Sequence, residues 1–236
     1  MEIMDIVLIA LVVAVILVFL ICLAIANFAG ENLLTIYEKY SKYPAGYNDT
    51  LSFADIVSDM EFNGKVKSSV IDGFLTDNYY KGVISLSKPV AYANNISAFA
   101  VCAHELGHAM QYRDNPAKMK SFTRKLVFSK IASKLTIPLF VIGVICIFFN
   151  LIVALTVISF SILCFIIGLL AKLSTIKVEK EASENALILL QKYADFDESM
   201  IKEAKKVLKA AKLTYVAAFL KSVLAWTFLV RKYDFY

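Results

Sequence analysis

Between Leu135 and Ala171 the chain runs for 37 residues without a single Asp, Glu, Lys, Arg or His. As one helix this stretch would be about 55 Å long at 1.5 Å per residue, far more than the ~30 Å hydrocarbon core of a bilayer. Divided near Asn150 it gives two short spans, roughly 135–149 and 151–171, joined by a tight uncharged turn. Such a hairpin returns the chain to the side it left. The composition agrees with a membrane protein: 59% of the 236 residues are hydrophobic, and only 8 Gly and 4 Pro favour helix over a β-barrel.

The charges flanking the hairpin give its orientation. Lys118, Lys120, Arg124, Lys125, Lys130 and Lys134 lead into it, and Lys172, Lys177 and Lys180 follow it. Beside a membrane run this basic cluster reads as a cytoplasmic flank rather than a nucleic-acid surface, so residues 30–134 and those after 171 are expected in the cytoplasm. Ile6 to Ala26 is another uncharged run; with Glu2 and Asp5 ahead of it, it reads as an uncleaved anchor rather than a secretory signal, its amino terminus facing outward. Leu213 to Val230 is apolar except for Lys221, whose central charge costs roughly 3 kcal/mol, and reads as a fourth span in preference to an interfacial helix.

The polar stretches predict short helices and one hairpin. Glu31 to Tyr43 reads as a helix leaving the membrane, and Thr50 or Ser52 as the cap of a second, with Leu51, Ile56, Val57 and Met60 on its apolar side. Residues 74–77 and 83–87 flank Asn78-Tyr79-Tyr80-Lys81-Gly82 as the strands of a small β-hairpin, a possible edge for an extended substrate. Residues 178–193 and 198–212 read as two amphipathic helices; Lys202, Lys205, Lys206, Lys209 and Lys212 form the solvated face of the second, near anionic lipid. The four cysteines, Cys22, Cys102, Cys146 and Cys164, read as buried thiols and not as a disulfide framework.

One motif carries chemistry. His104 and His108 are the only histidines, and they stand in His-Glu-x-x-His, on a helix expected to be capped by Asn95 or Ser97 and to end at Arg113-Asp114-Asn115-Pro116. Four residues apart on a helix, two imidazoles share one face and can bind one zinc ion, with Glu105 placed to act on a water there. Catalytic zinc usually takes three protein ligands, so with no third histidine an Asp or Glu must complete the set. The candidates nearest in membrane geometry are Glu179, Glu181 and Glu184, which begin about seven residues beyond the hairpin and so lie within roughly 10 Å of the bilayer surface. Gln111, Arg113 and Asp114 follow the motif too closely for a site inside a span, which puts it on the cytoplasmic face.

Gly73-Phe74-Leu75-Thr76-Asp77, Val101 to Ala109, the double apolar run, Val178-Glu179-Lys180-Glu181-Ala182-Ser183 and Leu213-Thr214-Tyr215-Val216-Ala217 occur in this order. Over about residues 48–220 this pattern resembles the YugP-like bacterial membrane zinc metallopeptidases, a family similar to the HtpX and CAAX-prenyl-protease group. The resemblance implies a gluzincin-type site, with Glu179 as third ligand opening a Glu-x-x-x-Asp turn. Ser183 departs from that turn, leaving Glu181 or Glu184 as partners of the ligands. Tyr215, Tyr112 and Tyr79 are candidate donors to a developing oxyanion.

The expectation is therefore a mainly α membrane protein with three to four transmembrane helices and a zincin-like cytoplasmic domain carrying a small β-hairpin. Its parts are an anchor at 1–29, the catalytic domain at 30–134, the membrane hairpin at 135–171, cytoplasmic helices at 172–212 and a transmembrane or interfacial helix at 213–236. It would be a multi-pass cell-membrane endopeptidase using Zn2+, with the lipid bilayer and a peptide or membrane-protein substrate as partners and no nucleic acid. The alternative is a non-catalytic zinc-binding membrane scaffold or adaptor. No feature of the sequence specifies an oligomeric state.

Overall fold

The computed structural model describes residues 21, 24–25, 27–46 and 48–224. The expected anchor at Ile6–Ala26 lies almost wholly outside the described residues, and the expected last span, 213–230, partly so. A helix over residues 27–40 (α1) is followed by α2 (Thr50–Phe62), strands β1 (Lys67–Ile71), β2 (Asn78–Tyr80) and β3 (Val83–Ser87), and the short helix α3 (Lys88–Ala91). Then come α4 (Ile96–Asp114), α5 (Pro116–Cys146), α6 (Leu151–Tyr193) and α7 (Glu198–Leu224). The fold is mainly helical with one small sheet.

The caps follow side-chain chemistry. Asp49, and not Thr50 or Ser52, caps α2: its carboxylate accepts from the Ser52 amide at 2.7 Å. Thr50 is buried instead and donates its hydroxyl to the carbonyls of Val90 and Ala91. Asn95 caps α4, accepting from the Ala98 amide at 2.9 Å, while Ser97 donates to the Tyr37 carbonyl at 2.7 Å. Asn115 ends α4 and caps α5 with its side chain, and Pro116 fills the first turn of α5, where its missing N–H costs nothing.

The sheet has order β1-β3-β2, with β1 parallel and β2 antiparallel to β3. The hairpin exists, but its first strand is 78–80 and not 74–77, and its turn is Lys81-Gly82. Both residues hold positive φ, 49° and 85°, as a tight two-residue turn demands. Residues 74–77 are instead a bend in which Asp77 accepts from the Ser87 amide at 2.7 Å and from its hydroxyl at 3.1 Å. β3 is the central strand and is paired on both sides, while the edge strand β2 packs on α4 through Tyr79 and Tyr112. Any strand added to this sheet must therefore pair with β1 or β2.

The core lies where α2, β3, α3 and α4 meet the far end of α6 and the first half of α7. Phe53, Val57, Ile84, Leu86, Val90, Phe99, Leu106, Leu189, Leu190 and Val207 are fully buried there. Phe99 on α4 stacks on Phe53 of α2 at 5.2 Å and on Phe196 at 5.9 Å between ring centres, which fixes α4 among its neighbours.

The apolar run folds as expected into two helices broken just before Asn150, whose side chain accepts from the amides of Ile152 and Val153. Both helices are longer than the run. α5 has 31 residues and α6 has 43, and among the described residues these are the two helices long and apolar enough to cross a membrane. The separate helix expected at 178–193 is the far end of α6. Lys172 to Lys177 contains neither Gly nor Pro, and a change from lipid to water does not interrupt intrahelical hydrogen bonding. Likewise α7 runs on without a break at 212. Small residues line the α5–α6 seam. A Cβ on Gly168 would collide with the Ser133 hydroxyl, one on Gly143 with Ile158, and Ser161 donates to the Thr136 carbonyl at 2.7 Å. The outer faces stay apolar and uncovered: Phe148, Phe149 and Ile152 at the hairpin tip are 85%, 83% and 78% exposed.

Candidate metal centre

α4 and α6 cross at Gly107. A Cβ there would strike the Ala182 carbonyl of α6, so only glycine permits this approach, and Asn185 seals it by donating to the Gly107 carbonyl at 3.2 Å. His104 lies three residues before this contact and His108 one residue after it on α4, and Glu179 lies three residues before Ala182 on α6. The two imidazoles stand edge to face with ring centres 4.8 Å apart.

Their inner nitrogens converge on one carboxylate oxygen. His104 Nε2 lies 3.0 Å and His108 Nε2 3.5 Å from Glu179 Oε2. The potential ligand atoms of these three residues all lie within 4.8 Å of one another, so they could hold a metal ion. Two imidazoles and one carboxylate, each mostly buried, are a donor set suited to zinc. The electrostatics of the cluster express the same closeness. Burial opposes ionisation of Glu179, but the hydrogen bonds and charges of both histidines prevail and hold its carboxyl at about 2. Burial likewise opposes the charge on His108, yet the carboxylates of Glu179 and Glu105 and the Gln111 side chain lift it to about 9.

Glu105 does not join the cluster. It is buried, and desolvation raises its pKa, partly offset by the nearby histidines and reinforced by Glu179 and Asp77. Cys102 is buried too, its thiol facing the Thr50 carbonyl at 3.5 Å and pushed far up by burial, as befits a structural thiol.

Around the ring, Ser183 Oγ lies 3.3 Å from His104 Nδ1 and donates to the Glu179 carbonyl at 2.8 Å. Gln111 meets His108 Nδ1 at 3.0 Å. Glu181 touches neither histidine; it accepts from Gln111 at 3.3 Å and from Lys118 at 3.1 Å. Glu184 pairs with Lys180 at 3.6 Å on the solvent side of α6. Of the three tyrosines, only Tyr215 lies close enough to the carboxylates of Glu179 and Glu105 to feel their charge. Tyr112 bonds Thr123 at 2.8 Å and packs on Tyr79, with ring centres 5.5 Å apart. Gln111 was not singled out from the sequence, although it stands three residues after His108 on the same helix face, where side chains meet.

A cluster of this composition could hold a metal ion, and it stands on two crossing helices beside a hairpin long and apolar enough to cross a membrane. Residues 13–233 match the family model described as "Putative neutral zinc metallopeptidase", and the chain belongs to that family. It is similar to a protein of Bacillus subtilis (strain 168) described as "Putative membrane protease YugP", 32% identical over 190 residues, covering 79% of this chain and 82% of that protein. No solved structure matches the chain.

Proposed function

We propose that this protein is a zinc-dependent endopeptidase that cleaves membrane or membrane-proximal proteins at the cytoplasmic face. The observation that carries this reading is the division of labour on α4 and α6. His104, His108 and Glu179 bring one donor atom each within 4.8 Å of one another, while Glu105, buried on α4, is not part of that group. A purely structural metal site has no use for such a carboxylate.

His104, His108 and Glu179 would hold the zinc, which would supply Lewis acidity to a scissile carbonyl and an attacking water. Glu105 would take a proton from the attacking water and later deliver it to the leaving amine. Its raised pKa suits both acts, since a carboxyl that binds a proton more readily is the better base near neutral pH. The hydroxyl of Tyr215, which lies near Glu179 and Glu105, is the donor that would stabilise the oxyanion.

The membrane assignment rests on α5 and α6, whose exposed apolar outer faces demand hydrocarbon around them. Glu179 lies eight residues beyond Ala171 on one unbroken helix, so the site stands about 12 Å past the apolar run. The basic residues on both flanks support a cytoplasmic location in a multi-pass topology. The test is purified protein in lipid vesicles, assayed for zinc content and for cleavage of a co-reconstituted membrane polypeptide. Glu105→Gln is expected to keep its zinc and lose cleavage. Cleavage by that variant at the wild-type rate would refute the mechanism.

A further inference from the structure

Gln111 is 4% exposed and its amide makes three contacts. Oε1 lies 3.0 Å from His108 Nδ1, and Nε2 donates to the Val178 carbonyl at 2.8 Å and to Glu181 Oε2 at 3.3 Å. The orientation of this amide follows from chemistry alone. A backbone carbonyl and a carboxylate can only accept, so the NH2 end must face Val178 and Glu181. Oε1 is then left facing His108, and an amide oxygen can only accept. The proton shared between them must therefore sit on Nδ1, which leaves Nε2 as the nitrogen available to a ligand.

Val178 immediately precedes Glu179, so one side chain grips a ligand of α4 at one end and the backbone beside the ligand of α6 at the other. Glu181 strengthens the grip. Its carboxylate, paired with Lys118 at 3.1 Å, polarises the amide and makes Oε1 a better acceptor. Ser183 stands in the same relation to His104, between its Nδ1 and the Glu179 carbonyl, so both histidines are oriented through neutral side chains anchored on α6.

We infer that Gln111 is a positioning residue of the zinc site: it holds His108 with Nε2 facing the metal and locks the spacing of the α4 and α6 ligands. The inference rests on the peptidase reading above. It is tested on full-length protein in detergent micelles, by zinc affinity from competition with a chromophoric chelator and by melting of the metal-free protein. Gln111→Leu removes both functions of the amide. Gln111→Glu keeps an acceptor for His108 but sets an oxygen against the Val178 carbonyl.

Both variants are expected to melt below wild type. Only Gln111→Leu should lose zinc affinity, by roughly 10–100-fold, with Gln111→Glu within about threefold of wild type. The visible spectrum of the cobalt-substituted protein should change in Gln111→Leu and be restored in Gln111→Glu. Zinc affinity unchanged in Gln111→Leu, or falling equally in both variants in step with melting, overturns the inference and makes Gln111 a mere strut. Wild-type protein that takes up no zinc sinks this inference together with the peptidase reading, and the two failures are thereby told apart.

Discussion

At the scale of single residues, the site depends on what is missing as much as on what is present. Gly107 is the clearest case, because its hydrogen is all that separates α4 from the Ala182 carbonyl. Gly107→Ala is expected to cost roughly 1–3 kcal/mol in stability through overpacking, and to weaken zinc binding as the helices part. Chelator competition and thermal melting measure both. Tyr215→Phe should behave differently: zinc content unchanged, kcat lower by about 10²-fold, as for the loss of one oxyanion donor. Equal activity in that variant would remove Tyr215 from the mechanism. His104, Glu105 and His108 were legible as a spacing on one helix. Glu179 was not, because nothing local distinguishes it from Glu181 or Glu184; a family resemblance separated them, and the fold places only Glu179 on the buried side of α6. Gln111 escaped notice because an amide three residues past a histidine is commonplace, and its meaning arises only when α6 brings the Val178 carbonyl within reach.

At the scale of elements, the crossing of α4 and α6 is held at both ends. Gly107 and the Gln111 bridge secure the site itself. Beyond it, Glu61 at the end of α2 gathers Arg113 of α4 at 2.7 Å, Lys192 of α6 at 2.6 Å and the Tyr193 hydroxyl at 2.7 Å. The Lys192 and Tyr193 hydrogen bonds lead the causes that hold the Glu61 carboxyl at about 2, against an ordinary value of 4.5. A carboxyl depressed in the fold contributes stability that is fully present above its unfolded value and lost as pH falls through its folded one. The stability Glu61 provides should therefore be intact above about pH 4.5 and fade towards pH 2. Glu61→Gln should flatten that limb of an acid-unfolding curve while leaving the neutral limb parallel to wild type; an unchanged acid limb would show that the clamp contributes nothing. Sequence patterns foresaw the break at Asn150 and a small hairpin ending on 83–87, but set its first strand at 74–77 and its turn at 78–82 instead of Lys81-Gly82. They missed β1, since a strand paired in parallel across sixteen positions leaves no local signature, and they broke α6 where the charges begin, because charge onset marks an interface and not a helix end.

At the scale of the whole molecule, α6 makes one rod of two functions. Its first half faces α5 along a seam of small residues, and its second half supplies Glu179. With α6 crossing a bilayer as proposed, a zinc ligand fixed to it by unbroken backbone would keep a set height above the membrane, which would favour polypeptide segments emerging from it over freely diffusing ones. The topology that this requires is open to labelling. In a background without the native cysteines, Phe149→Cys at the hairpin tip should react with an impermeant maleimide on intact cells, and Lys125→Cys only after permeabilisation. The reverse pattern would put the site outside the cell. What the apolar run made plain from the start is that α5 and α6 are long and apolar enough to cross a membrane. What it could not reveal is that α6 continues unbroken past that run and carries Glu179.

The account stands on His104, His108 and Glu179 holding one zinc ion between α4 and α6. X-ray absorption at the zinc edge of the purified full-length protein tests this most directly. Two imidazole nitrogens and oxygen ligands at about 2.0–2.2 Å are expected, with one imidazole lost in His108→Ala and the oxygen shell altered in Glu179→Ala. A sulfur shell near 2.3 Å, or a wild-type spectrum preserved in Glu179→Ala, would contradict it.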